Sequence, residues 1–247
     1  KKILDWLNEN ETYATFFVVG EILEEIPELI DQIKKSGHEI GFHTMTHKKL
    51  HEIKTKENFE IELEKFRNIV GSNVKGFRAP TFSLDSSTSW AIDSLKKFGY
   101  SYDSSIVPIK TKMYGLSDAD KHPYKISSSS IEKHDPKSEF WEFPLMKTKF
   151  LGKKIPAGGG FYLRTLPSKI IEKSINEYNK DDKPAIMYIH SWELTPEYMP
   201  KIDLPIKEKF ITYHNIHKSL PKMDELIKKF KFTSFERYLK EWMIKQV

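Results

Sequence analysis

The sequence predicts an α/β protein, a parallel sheet with helices packed outside it. Two observations carry this. Short runs of β-forming apolar residues alternate along the chain with segments whose apolar residues recur at helical spacing. The first such run, residues 14–19, is apolar throughout rather than alternating, the pattern of a strand covered on both faces. No period of ~20–50 residues recurs, which argues against a solenoid. At 247 residues the chain is long enough for one substantial core, and α/β barrels often reach this length undivided.

The elements are expected in the following order. Ile3, Leu4 and Leu7 share one face of a short N-terminal helix. The strand over residues 14–19 ends at Gly20. A helix follows, with Ile22, Leu23, Ile26, Leu29, Ile30 and Ile33 at helical spacing and Gly37 as its stop. Residues 38–42 make the next strand. Residues 57–70 are helical with Ile61, Phe66 and Ile69 facing inward. Residues 76–82 form a strand broken at Pro80, and Ser86 or Ser87 caps a helix that runs through Phe98. Residues 100–104 are extended. Residues 107–139 are largely polar and are expected to form a long connection. Strand character returns at 140–144, and Gly158, Gly159 and Gly160 give a permissive loop. A helix over 168–178, a buried strand over 185–190 and an amphipathic helix over 223–230 precede a tail at 235–245.

Composition removes several classes of function. There are no cysteines, so disulfides, thiolate metal sites and a cysteine nucleophile are excluded. The net charge of +5 comes from lysines interleaved with Glu and Asp, without the basic stripe and stacked aromatics of a nucleic-acid surface. No apolar run approaches the ~20 residues of a membrane span. The first nine residues are amphipathic rather than uniformly apolar, unlike a signal peptide. A cytoplasmic location is slightly favoured on that ground, and oligomeric state is not legible.

The chemistry concentrates after the second predicted strand. His43 and His47 stand four residues apart, so a helical turn there would send both rings to one side. Neutral imidazole is a preferred ligand for Zn²⁺ and similar metals. A zinc protease needs Glu immediately after the first His, and Thr44 occupies that place. With nine histidines in the chain, a chance pair is the competing reading. In folds of this class reactive groups gather where strands end. Arg78, Asp103 and His190 also sit at predicted strand ends, so they are expected to converge with the pair.

Taken together, Ala14-Thr-Phe-Phe-Val-Val-Gly20, His43-Thr-Met-Thr-His47, Arg78-Ala-Pro-Thr-Phe82 and Tyr188-Ile-His190 resemble the polysaccharide deacetylase family, the NodB-homology carbohydrate esterases. Glu142-Phe-Pro144, Gly158-Gly-Gly-Phe-Tyr-Leu-Arg164 and His190-Ser-Trp-Glu-Leu194 are similar to a subgroup associated with exopolysaccharide loci. The resemblance implies a distorted (β/α) barrel, one catalytic domain over residues 1–247 with a C-terminal helical extension from about residue 218. It also implies one divalent metal, Zn²⁺ foremost with Co²⁺ as a substitute, and an acetylated glycan as substrate. The implied reaction is hydrolysis of N-acetyl groups from N-acetylglucosamine-containing polysaccharide.

The roles follow position by position. His43 and His47 match the metal ligands, and His190 matches the acid that protonates the departing amine. Arg78 matches the arginine that fixes the base carboxylate. Thr81 falls where a backbone N–H serves as oxyanion donor, a role that survives the change of side chain. Asp103 would orient His190, although Tyr102-Asp-Ser-Ser105 departs from the family's usual segment. Trp192 and Tyr102 would stack on a sugar ring or else serve as core aromatics. The family's first signature, a strand ending in two Asp that supply the base and a third metal ligand, should precede Lys1. Asp5, inside a helix, does not replace it. Two alternatives stay open: a catalytically inactive carbohydrate-binding or scaffolding relative, and a hydrolase of small cyclic amides on the same fold.

Overall fold

A computed structural model describes the chain apart from residues 112, 113, 201 and 245–247 and the side chains of residues 243 and 244. The end of the expected C-terminal extension therefore lies outside the described residues. The chain divides into two compact units. One comprises residues 13–144 and 233–247, the other residues 1–12 and 145–232. The helical extension is shared between them, since the helix Ser219–Lys229 falls in the second unit and the helix Phe235–Ile244 in the first. No helix among the described residues is long and apolar enough to cross a membrane.

The first unit is the predicted α/β layer structure. Its six strands are β1 (Thr15–Val18), β2 (Glu39–Phe42), β3 (Gly76–Phe77), β4 (Tyr102–Asp103), β5 (Tyr124–Lys125) and β6 (Trp141–Glu142). They are bonded in the order β1-β2-β3-β4-β6-β5. Every neighbouring pair is parallel except β5 with β6. The expected connection over 107–139 thus holds a short antiparallel strand, anchored by buried Tyr124, Ile126 and Ile131. The strand expected over 76–82 is shorter than its sequence run. It stops at Phe77, and Pro80–Phe82 coils into a 3-10 turn.

The helix expected between β1 and Gly37 divides into Gly20–Glu25 and Glu28–Lys35 at Pro27, which cannot donate the hydrogen bond that would carry the helix on. Gly37 does terminate it, with φ 78°. The helix Lys56–Val70 buries Phe59, Leu63, Phe66 and Val70, so the expected inward stripe is rotated: Phe66 faces in, whereas Ile61 is exposed. Phe42 on β2 is the hub of this core, with ring centroids 4.5 Å from Phe66, 5.6 Å from Phe77 and 6.2 Å from Phe59. Each such ring is fully buried and stabilises the unit by ~1.5–3 kcal/mol.

The second unit is built on helices around a hairpin, β7 (Lys147–Phe150) with β8 (Lys153–Pro156). Met146, Leu163, Ile171, Ile175 and Leu226 lie at its centre, and Ile3 and Trp6 of the N-terminal helix pack against them. Residues 185–190 do not form the buried strand expected. They make isolated parallel bridges, Leu145 with Ile186 and Gly159 with Tyr188, and Met187, Tyr188 and Ile189 are only half-buried. A short hairpin gives this segment no continuous ladder to join.

Candidate functional site

In the first unit, the functional side chains leave the C-terminal ends of β2, β3 and β4, where ligand-binding groups of parallel sheets are usually found. The residues after β2 are not helical. Thr44 and His47 both have φ 59°, a left-handed conformation that costs non-glycine residues of order 1–3 kcal/mol. Tertiary bonds hold it. Gly20 and Glu21 donate backbone N–H groups to the carbonyls of Thr44 and Met45 at 3.0 and 2.9 Å, and Met45 N–H donates to Glu62 Oε2 at 3.0 Å. A Cβ on Gly20 would stand 2.2 Å from Met45 Sδ and 3.3 Å from Met45 Cα, so a side chain here would push the Met45 thioether aside.

The loop brings the two imidazoles together without a helix. The ring centroids of His43 and His47 are 5.0 Å apart, edge to face. His43 Nδ1 lies 2.6 Å from the carbonyl oxygen of Arg78. A carbonyl only accepts, so Nδ1 carries the proton and the basic lone pair is on Nε2. Metal-binding histidines are typically held this way, with the other ring nitrogen donating to a backbone carbonyl. The donor chemistry and the tautomer therefore suit a divalent cation. Among the described residues, no group of three or more His, Cys, Asp or Glu is placed to hold one, so the pair supplies two donors.

Arg78 is buried. Its Nε and one terminal nitrogen donate to the carbonyl and hydroxyl of Ser104 at 2.8 and 2.7 Å, and its guanidinium lies 4.4 Å from the Phe17 ring centroid. Next to it Asp103 and Glu142 face each other across β4 and β6, both wholly buried. Ser105 donates its N–H and hydroxyl to Asp103 at 3.0 and 2.6 Å, and Ile106 N–H donates to Glu142 Oε1 at 2.9 Å. Burial first, and then the Asp103 charge and the hydrogen bond to it, push Glu142 well above the usual carboxylate range. Burial raises Asp103 too, but the bond from Glu142 and those from Ser105 oppose it. Of the two, Glu142 is the carboxyl pushed further toward the protonated form. Glu142 Oε2 is buried without a hydrogen-bond partner among the described residues.

Two expected roles change here. Tyr102 is fully buried, edge-on to Phe17 and Phe143, and its hydroxyl donates to Glu39 Oε1 at 2.7 Å. It is a core aromatic with no face to offer a sugar. Asp103 accepts from Ser105, and the carboxylate hydrogen-bonded to His190 Nδ1 is that of Glu193. Thr81 is exposed at the tip of its turn with φ 53°, and Phe82 beside it has φ 54°. Two successive left-handed residues of this size are a backbone outlier of the kind found at functional sites.

In the second unit, His190 precedes the short helix Ser191–Leu194. Its side chain is 51% exposed while that of Glu193 is 2% exposed. Glu193 Oε2 takes both the backbone N–H and Nδ1 of His190 at 3.0 Å. The His190 ring stacks on Trp192 at 5.3 Å with planes 17° apart, and Tyr188 approaches it edge-on at 5.6 Å. Sequence reasoning missed Glu193 and Arg164. The signal for Glu193 was its spacing: a carboxylate three residues after a helix-capping position reaches back to that residue's N–H.

Comparisons with known proteins divide the chain near Asp103. Residues 1–102 match the family described as polysaccharide deacetylase, and residues 104–240 match a domain of unknown function, DUF3473. A peptidoglycan-N-acetylglucosamine deacetylase of Bacillus cereus is 33% identical over 96 residues, which are 37% of this chain and 35% of that protein. The match thus spans about a third of that curated relative's length. A provisional polysaccharide deacetylase of Mycobacterium smegmatis superposes with a TM-score of 0.58 over 100% of this chain and 77% of its own, at 17% identity. A 4-alpha-glucanotransferase of Thermococcus litoralis gives 0.60 over 98% of this chain and 34% of its own, at 18% identity. Both structures show the α/β fold, and since their names differ in reaction, the fold alone does not choose one.

Proposed function

We propose that the chain, whose residues 1–102 match the polysaccharide deacetylase family, hydrolyses N-acetyl groups of N-acetylglucosamine-containing polysaccharide, releasing acetate with the help of a divalent metal. The observation that supports this most is the imidazole pair after β2, with the His43 tautomer set by the Arg78 carbonyl. His43 and His47 would hold the cation, Zn²⁺ or a substitute such as Co²⁺. When bound there, it supplies Lewis acidity toward the acetamide carbonyl.

The chain's own residues have separate tasks. The backbone N–H of Thr81 donates to the oxygen that becomes negative as the carbonyl is attacked. Arg78, fixed by Ser104 and by the Phe17 ring, keeps a buried positive charge at the end of β3, at the position where the family has the arginine that fixes its base. His190 delivers a proton from Nε2 to the departing amine, since Nδ1 is committed to Glu193. The half-exposed Trp192 ring, stacked on His190, would be the aromatic contact to a sugar.

Acetate release from acetylated chito-oligosaccharides and peptidoglycan fragments, with and without added Zn²⁺ or Co²⁺, tests the proposal. Cation-stimulated acetate is expected. A cation-loaded protein that releases none from any acetylated glycan would overturn it. Turnover of small cyclic amides in place of glycans would select the alternative hydrolase.

A further inference from the structure

The second unit contains a buried charged assembly that the proposed chemistry does not use. Arg164 is 2% exposed, on the helix Gly160–Thr165, and pairs with Glu193 Oε1. Its remaining donors go to backbone: Nε to His214 O at 2.8 Å, and one terminal nitrogen to Thr212 O at 3.1 Å and to Ile211 O. Each of these acceptors is a carbonyl at the C-terminal end of the helix Ile206–Tyr213. The other oxygen of Glu193 holds His190.

The three consecutive glycines have a steric reason in the same place. A Cβ on Gly158 would lie 2.4 Å from Ile186 O, one on Gly159 2.8 Å from the Tyr188 ring, and one on Gly160 2.2 Å from Glu193 Oε2. The segment from Ile186 to Glu193 rests on bare backbone, and the Glu193 carboxylate rests on Gly160. A buried carboxylate is costly unless paired and hydrogen-bonded. Here a guanidinium, a backbone N–H and an imidazole N–H satisfy it.

We infer that Glu193 is the positioning residue of His190, with Arg164 and the glycine seat fixing it in place. This deepens the proposed function and rests on it for the acid role of His190. A carboxylate accepts only, so it requires the proton of neutral His190 to be on Nδ1 and leaves Nε2 as the nitrogen that gains and loses a proton. It also favours the imidazolium, because an anion within hydrogen-bond reach stabilises the charged ring. Among the described contacts, Glu193, Tyr188 and Trp192 face the ring, and Arg164 acts through Glu193 and lies 5.8 Å from the Trp192 ring. Glu193 therefore sets both which nitrogen is presented and how readily it is charged.

The test has an arm that does not depend on activity. In the wild-type chain, ¹⁵N–¹H spectra of the histidine side chains should assign the proton of neutral His190 to Nδ1. Finding it on Nε2 would overturn the inference whether or not the protein deacetylates anything. In Glu193→Gln the Nδ1 preference should fall and His190 should lose its proton at lower pH than in wild type. An unchanged His190 spectrum in a folded variant would again overturn it. Gly160→Ala, which forces the carboxylate to move, should disturb the same resonances if Glu193→Gln does not fold. With acetylated chito-oligosaccharide, Glu193→Gln should lower kcat at least ~10-fold, within the ~10²–10⁴ loss of removing an acid catalyst. KM and bound Zn²⁺ should stay unchanged, and the alkaline limb of the pH profile should shift to lower pH. A rise in KM with kcat intact would assign Glu193 to substrate binding instead. If no substrate is turned over while the wild-type spectrum places the proton on Nδ1, the deacetylase reading fails and the positioning of His190 stands.

Discussion

Replacing Glu142 by Gln should make the protein progressively more stable than wild type as pH rises. In the unfolded chain Glu142 ionises near its ordinary value of 4.5. In the native protein burial and the facing Asp103 carboxylate keep it protonated well above that. Between those two points the native state binds a proton that the unfolded state has released, so stability falls with rising pH. The slope for one such group approaches ~1.4 kcal/mol per pH unit wherever the native protein keeps a proton that the unfolded chain has released. Below the unfolded value both states are protonated and the effect vanishes. Glutamine keeps the shape and an N–H donor toward Asp103 but has no proton to lose, so the slope should flatten. Urea unfolding of both proteins at pH 5, 6, 7 and 8 and fixed ionic strength measures this. A stability difference that is constant across the series would refute the protonated-pair assignment, because then Glu142 is ionised in both states.

Other outcomes follow from the same contacts. His43→Ala and His47→Ala should each abolish Zn²⁺ retention after dialysis, while His190→Ala should keep the metal and lose ~10²–10⁴ in turnover; equal metal loss in all three would show that His190 is misassigned. Gly20→Ala should cost ~1–3 kcal/mol in thermal or urea unfolding, because the added methyl meets Met45 Sδ at 2.2 Å and the Met45 side chain must repack; no measurable loss would mean it repacks freely. Leu63→Ala should cost ~2–5 kcal/mol and Ile61→Ala about 0.5 kcal/mol or less, since only the former is buried; comparable losses would mean the helix Lys56–Val70 is rotated from the orientation described.

The parts legible in the sequence were those written in local pattern. The apolar run ending at Gly20 became β1, the residues before His43 became β2, and Gly37 closed a helix as its freedom at positive φ allows. The closeness of His43 and His47 was also legible, although for a different reason: a loop with two left-handed residues, not a helical turn, brings the rings together. That loop depends on bonds to Gly20, Glu21 and Glu62, which no reading of residues 43–47 contains. Register was the second thing hidden. Tyr102 and Asp103 are adjacent, yet the pairing of β4 with β6 buries both and sets Glu142 against Asp103. The carboxylate for His190 lay three residues away in sequence rather than on a distant strand, and its seat on Gly160 gives the glycine run a reason that turn chemistry alone did not.

The imidazole grip itself is open to direct inspection. X-ray absorption at the zinc edge, on the full chain loaded with one equivalent of Zn²⁺, reports which atoms surround the cation. The account predicts two imidazole nitrogens at ~2.0–2.1 Å, falling to one or none in His43→Ala. Zinc held without histidine, or a spectrum indifferent to that substitution, would contradict it.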